Sequence, residues 1–137
     1  MSYIFLIPAF IYAAWSDLKN RTIPIWLFPV TMVFIFIYNF FTGKTVDLWN
    51  LIGFSCMFVP TMLAGMAGVL GGADIIMFSI TGAILGKLTI SYVVILAGLS
   101  TLFFLFSGLK NRTYPMAPFA MAAFIIFFVW RVIYVYY

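Results

Sequence analysis

The sequence predicts an all-α, polytopic membrane protein, built as a compact bundle of about six transmembrane helices. Hydrophobic residues make up 66% of the 137 residues and charged residues only 7%, so the chain lacks the polar surface that a soluble domain of this length needs. At roughly 20 apolar residues per span, the chain holds about six short helices and leaves little for a soluble domain. We therefore expect a single membrane-embedded domain over residues 1–137.

The charged residues and the single cysteine exclude several classes of function. Seven Lys and Arg outnumber three Asp and Glu, but they lie in short gaps between apolar runs, which indicates topology signals and no nucleic-acid partner. Cys56 is the only cysteine and histidine is absent, which excludes an internal disulfide, a Cys/His metal site and a Ser/His or Cys/His nucleophilic pair. We expect Cys56 to pack as a small apolar residue. Positive charge first appears at Lys19, after the first apolar run, so a cleaved signal peptide is not expected.

The first half of the chain divides into apolar runs separated by short polar gaps. Pro24 suits the first turn of a second helix, because its fixed backbone angle matches a helix start. In order, we expect a first run over residues 3–15 that ends at Ser16 and Asp17, a polar turn over 17–24, a second helix to about Phe41, a gap at 42–47 and a third span over about 48–70.

The second half is apolar from Asp74 to Gly108 and is interrupted only at Gly86 and Lys87. A single helix of that length would be about 50 Å long at 1.5 Å per residue, well beyond a hydrocarbon core of about 30 Å. We therefore divide it at Gly86 and Lys87 into a fourth and a fifth span. The last run, residues 116–137, ends in a group typical of a membrane interface: Trp130, Arg131, Tyr134, Tyr136 and Tyr137.

One internal repeat bears on the topology. The sequence LKNRTIP at residues 18–24 recurs as LKNRTYP at 109–115, with six of seven residues identical. With six spans both copies lie on the same side, and the positive-inside rule makes that side cytoplasmic and the N-terminus external. The third acid, Asp47, then lies on the outer side and is expected to be a solvated loop charge. The cytoplasmic positives are Lys19, Arg21, Lys110 and Arg112, against Lys44, Lys87 and Arg131 outside.

The paired glycines Gly71 and Gly72 place an acid, Asp74, inside an otherwise apolar run. Two adjacent glycines allow backbone conformations that other residues resist, so they can break a helix and bring main chain close to a substrate. One interpretation of Asp74 is an N-cap of the following helix. The other is a functional group, because ionisable residues near the bilayer are costly and are by default functional candidates.

A role in the turn alone does not explain the presence of Asp17, because the second copy of the repeat has Gly108 at that position. Asp17 follows the first span and Asp74 follows the third, so both are expected on the same side of the membrane. Two neighbouring carboxyl groups that share a proton can activate a water for attack on a peptide carbonyl, which is aspartic protease chemistry and needs no cofactor or metal. Two alternatives remain: a helix cap plus an interfacial charge, and a transporter or proton relay, which would place acids near mid-span.

These residues resemble a known family. Asp17 followed by Arg21, Ile23 and Pro24, then a glycine-rich turn ending in Asp74, is similar to the type IV prepilin leader peptidases. These are GxGD-type aspartic proteases of the cytoplasmic membrane, related in mechanism to archaeal preflagellin peptidases. The stretch PMAPFA at residues 115–120 resembles the family's P-x-x-P-F opening of the last helix, and the size resembles the short forms of tight-adherence, Flp-type pilus systems.

The resemblance implies an enzyme that removes a short, usually basic leader from a prepilin-like substrate at the cytoplasmic face of the cell membrane. Asp17 and Asp74 would be its catalytic pair. Whether the chain forms a homo-oligomer stays open. The motif residues that the resemblance carries over, as substrate-binding or structural positions, are Gly71, Gly72, Ala73, Arg21, Pro24, Pro115 and Pro118.

Two positions depart from the family pattern. Ala73 replaces the second glycine of G-x-G-D, and Ile76 stands where a lysine is common. The chain also lacks the long cytoplasmic insert with paired cysteines, so N-methyltransferase activity is not implied. These departures keep an alternative of another class open, a non-enzymatic membrane scaffold or assembly factor of a pilus or secretion system that retains the fold.

Overall fold

The computed structural model describes residues 2–107 and 116–136, and the regular structure within these ranges is entirely helical. A 3₁₀ helix (Ser2–Phe5) precedes the first α-helix, and another (Gly86–Leu88) separates the fourth from the fifth. This confirms the predicted all-α fold. The six α-helices are α1 (Leu6–Asn20), α2 (Leu27–Phe41), α3 (Leu48–Met66), α4 (Gly72–Leu85), α5 (Thr89–Ser107) and α6 (Met116–Tyr136).

The helices form a polytopic membrane bundle. Three described stretches are long and apolar enough to cross a membrane: Leu48–Met66, Gly72–Leu102 and Met116–Val135. Helix α2 is also apolar but shorter. Large apolar side chains cover the outer surface, with Phe40 and Phe41 each 82% exposed, which suits a hydrocarbon environment and not water.

The division at Gly86 is confirmed. Gly86 has φ +56° and ψ −123°, far from α-helical values, and it is the C-cap of α4. The hydroxyl of Thr89 donates to the carbonyl oxygen of Gly82 at 3.0 Å, a contact that seven residues of straight helix, about 10 Å long, would prevent. The chain therefore turns back between α4 and α5, and residues 72–102 are two helices.

Several predicted boundaries were wrong. Helix α1 continues to Asn20, so Asp17 lies in its last turn and not in the loop after it. Pro24 is not in the first turn of α2, because its carbonyl accepts the N–H of Leu27 in a separate turn before the helix. The predicted end of the second helix at Phe41 is confirmed.

The end of α3 also differs from the expectation. The helix stops at Met66, four residues before the predicted residue 70. Gly68 adopts φ +73°, and the N–H of Val69 donates to the carbonyl of Ala64 at 2.9 Å, which is the hydrogen bond of a Schellman motif. The unusual glycine conformation thus lies at Gly68. Gly71, by contrast, is extended with φ −78°, so its flexibility is not what ends α3.

The buried core is one cluster that includes side chains from each of α1 to α6. Aromatic side chains of α1, α2, α5 and α6 pack in a buried cluster, in which Phe10 lies 5.0 Å from Phe124 between ring centroids and 5.4 Å from Phe28. Helices α3 and α4 pack antiparallel through small residues: a methyl group built on Gly53 would overlap the backbone of Gly82. Cys56, expected to be packed, is instead exposed on the outer face of α3.

Candidate active site

Asp17 is buried at one end of the bundle. Its helix presents Phe10 and Ala13, both fully buried, to the core, and Asp17 continues that face with only 7% of its surface exposed. The chain leaves α1 through Arg21, whose left-handed φ of +52° is uncommon for a residue with a side chain. A hydrogen bond from the Ser16 hydroxyl to the carbonyl of Thr22, 2.7 Å long, holds the strained segment against the helix. The segment that follows Asp17 is thus held against the end of α1.

The carboxylate of Asp17 reaches a helix that is distant in sequence. Its Oδ2 accepts a hydrogen bond from the backbone N–H of Ala117 at 3.1 Å, across 100 residues of chain. Ala117 is the second residue of α6, where backbone N–H groups have no partner inside the helix. The positive end of the helix dipole is also favourable for a negative charge. Asp17 therefore serves as an acceptor for the start of α6.

Asp74 lies in the first turn of α4, at its third residue. It is not the N-cap, since Gly71 occupies that position, but its Oδ2 accepts the backbone N–H of Gly71 at 3.3 Å. This contact is the one that an acidic residue at the third position makes in a capping box. The side chain is half-buried. The cap interpretation and a catalytic role are therefore compatible at this residue.

The two acids lie at the same end of the bundle. Asp17 lies in the last turn of α1 beside the start of α6, and Asp74 lies in the first turn of α4, at the end of the bundle opposite the start of α3. Each carboxylate thus lies at a helix N-terminus, Asp17 at that of α6 and Asp74 at that of α4. This arrangement partly compensates the cost of holding two acids against an apolar bundle.

The glycine-rich turn leaves open space beside Asp74. A methyl group on Gly71 would lie 3.4 Å from the Oδ2 of Asp74, in ordinary contact, and one on Gly72 would meet nothing within 4 Å. Ala73 is half-buried and packs against the core. The methyl group that departs from the family pattern thus points away from open space and into packing.

The other residues predicted for the site differ in their exposure and in the element that carries them. Arg21 is exposed, and Pro24 is half-buried in the turn before α2. Pro118 is the third residue of α6, where proline costs no helical hydrogen bond. Pro115, the second copy of the repeat at residues 109–115 and Gly108 lie outside the described residues.

Asp47 lies at the opposite end of the bundle and is exposed, but it is more than a loop charge. It is the N-cap of α3: its Oδ1 accepts the N–H of Leu48 at 2.8 Å, and the side chain of Asn50 accepts the N–H of Asp47 at 2.9 Å. Asn50 also donates to the carbonyl of Ala83 on α4 at 2.7 Å. This acid therefore has a structural role, far from the other two.

Two cavities also lie at the opposite end, where α2 ends and α3 begins. One, of about 220 Å³, lies between Ile35, Phe54 and Ile84, and the other, of about 680 Å³, adjoins it beside Lys44. Neither is lined by Asp17 or Asp74. Within residues 2–107 and 116–136 no three His, Cys, Asp or Glu side chains come together as a metal site.

Ala117 is the residue of this site that sequence reasoning missed. The P-x-x-P-F stretch marks the start of a helix, but an alanine carries no polar side chain, and its contribution is a backbone N–H. Only the folded chain shows which acid that N–H meets.

No curated protein and no solved structure matches the chain. The model of the type IV leader peptidase family matches residues 4–106, which is well over half of the chain and contains both Asp17 and Asp74. The chain therefore belongs to the type IV leader peptidase family.

Proposed function

We propose that this protein is a membrane aspartic endopeptidase that cleaves the leader of prepilin-like substrates at the cytoplasmic face, with Asp17 and Asp74 as its catalytic pair. Family membership supports a leader peptidase. The specific observation behind the choice of residues is that both acids lie at the same end of the bundle, Asp17 in the last turn of α1 and Asp74 in the first turn of α4.

The proposed chemistry uses the two carboxyl groups as a pair. Like charges close together do not both ionise easily, so the pair holds one proton between its members. The unprotonated member takes a proton from a bound water as that water attacks the scissile carbonyl. The protonated member donates a hydrogen bond to the carbonyl oxygen, whose negative charge develops in the transition state. The chain offers both groups with no histidine and no nucleophilic cysteine near them.

The location of the pair fits a substrate whose cleavage site precedes an apolar helix. Both acids lie at helix ends and not in the middle of a span. A leader that remains outside the bilayer would therefore bring its junction with the apolar helix to the level of the acids. The open space beside Gly72 leaves room for an extended backbone next to Asp74.

The departure at Ile76 removes a cation from the expected pattern. Ile76 is half-buried and packs against the core, so this position contributes packing here. We therefore assign no substrate-binding or charge-tuning role to it. The proposed mechanism depends on Asp17, Asp74 and the backbone around them.

Substitution of each acid by asparagine tests the proposal. Each protein is co-expressed with a probe chain that has a short basic leader followed by an apolar helix, and leader removal is followed by immunoblot. Asp17→Asn and Asp74→Asn should each reduce cleavage about 1000-fold or more, because asparagine cannot carry the shared proton. Asp47→Asn is the matched control and should cleave normally, since asparagine is as good an N-cap as aspartate.

Two results would contradict the proposal. Cleavage by either single variant at the wild-type rate would remove that acid from the mechanism. Failure of the wild-type protein to cleave any such probe, with normal insertion, would favour the non-enzymatic scaffold that retains the fold.

A further inference from the structure

The carboxylate of Asp17 is held from outside its own helix by one backbone amide. The N–H of Ala117 donates to Oδ2 at 3.1 Å, and both residues are buried, with Ala117 fully so. A hydrogen bond shielded from solvent in this way restricts the rotation of the carboxyl group much more than an exposed one would.

The packing of α1 on α6 explains why this contact forms. The two helices run antiparallel, with Asp17 opposite Ala117 and Phe10 opposite Phe124. Small buried residues lie on both helices near the acid, Ala13 and Ala14 on α1 and Ala120 on α6. Small side chains let the two backbones approach closely, which brings the start of α6 within reach of a short aspartate side chain.

The neighbouring proline restricts which amide serves Asp17. Pro118 follows Ala117 directly and has no backbone N–H. The first turn of α6 therefore has one donor fewer to direct at the acid, and the described contact is made by Ala117. This gives the P-x-x-P-F stretch a physical role beyond starting a helix.

We propose that the backbone N–H of Ala117 is a positioning group for leader cleavage. By holding Oδ2 of Asp17 as an acceptor, it fixes the orientation of that carboxyl group relative to Asp74 before the substrate arrives. The proposal rests on the proposed catalytic role of the two acids.

Proline substitution removes this donor without removing a side-chain function. Proline is tolerated in the first turn of a helix, so Ala117→Pro deletes the N–H at a position where the helix itself does not use it. Met116→Pro is the matched control, because it places the same residue one position earlier and leaves the N–H of Ala117 intact. Both are measured in the full-length protein in vesicles, with the probe chain described above.

Ala117→Pro should lower kcat by about 10- to 100-fold, the loss expected for one hydrogen bond to a charged group. KM should change by less than about threefold, because substrate binding is not altered. Met116→Pro should retain most of the wild-type kcat. Equal kcat values for the two variants, or a loss confined to KM, would overturn the positioning role.

A second measurement is independent of whether Ala117→Pro inserts and folds. In protein labelled with 15N-alanine, the amide proton signal of Ala117 should move upfield in Asp17→Ala and stay in place in the control Asp47→Ala. A signal that does not respond to Asp17→Ala would overturn the contact.

The outcomes also separate this inference from the proposed function. If Asp17→Asn is inactive while Ala117→Pro keeps the wild-type kcat, the catalytic pair stands and the positioning role fails. If Asp17→Asn remains active, the proposed function itself fails.

Discussion

Gly53 on α3 and Gly82 on α4 meet backbone to backbone, so closely that a methyl group built on either would overlap the main chain of the other. Asn50, one helical turn before Gly53, extends the contact through its hydrogen bond to Ala83. Helix α4 carries Asp74, and its antiparallel partner α3 is seated by this glycine contact. The packing of α3 against α4 therefore determines the position of Asp74.

Substitution of Gly82 should destabilise the protein. Alanine is the better helix former by about 1 kcal/mol, but the added methyl would overlap the oxygen of Gly53 and press on Met57. Overpacking of this kind costs about 1–3 kcal/mol, so the overlap outweighs the helix propensity. Gly82→Ala should thus lower Tm in a detergent melting experiment.

The matched control for that prediction is Gly98→Ala on α5, where an added methyl would meet nothing within 4 Å. It should leave Tm unchanged or raise it slightly, because only the helix propensity acts there. A Gly82→Ala protein that melts no earlier than Gly98→Ala would show that α3 and α4 do not pack as described.

The two acids should also show strongly non-additive effects. If Asp17 and Asp74 act as one unit, removing either already removes the shared proton, and nothing further is lost with the second. The double variant Asp17→Asn/Asp74→Asn should therefore cleave the probe chain no more slowly than either single variant. A double variant clearly slower than both would indicate two groups with separate roles.

The predicted topology is testable with reporter fusions. Six spans with an external N-terminus place a reporter fused after Asn20 or after Asn111 in the cytoplasm, and one fused after Lys44 outside, since the positive-inside rule assigns both basic turns to the inner face. Opposite locations for the reporters after Asn20 and Asn111 would contradict the six-span arrangement.

Much of the fold was predictable from the sequence because it depends on short-range properties. Apolar composition predicted a membrane bundle, and the length of the run after Asp74 predicted the break that the structure has at Gly86. Apart from Cys56, which is exposed and not packed, the errors lie at helix ends. Asp17 belongs to α1 and not to the turn, because the left-handed conformation that ends the helix is adopted by Arg21, a residue that composition does not mark as a stop.

For the candidate site, the sequence by itself determined which groups are available: two acids near helix ends, and no histidine or second cysteine. The helices that carry these acids could be predicted from neighbouring residues in the sequence. Only the tertiary structure decided that Asp17 accepts the N–H of Ala117 and that Asp74 lies at the same end of the bundle. These relationships join residues far apart in the chain, and the donor is a backbone N–H that nearly every residue carries, so the sequence pattern does not predict them. They form only when α1 packs on α6 and α4 packs against α3.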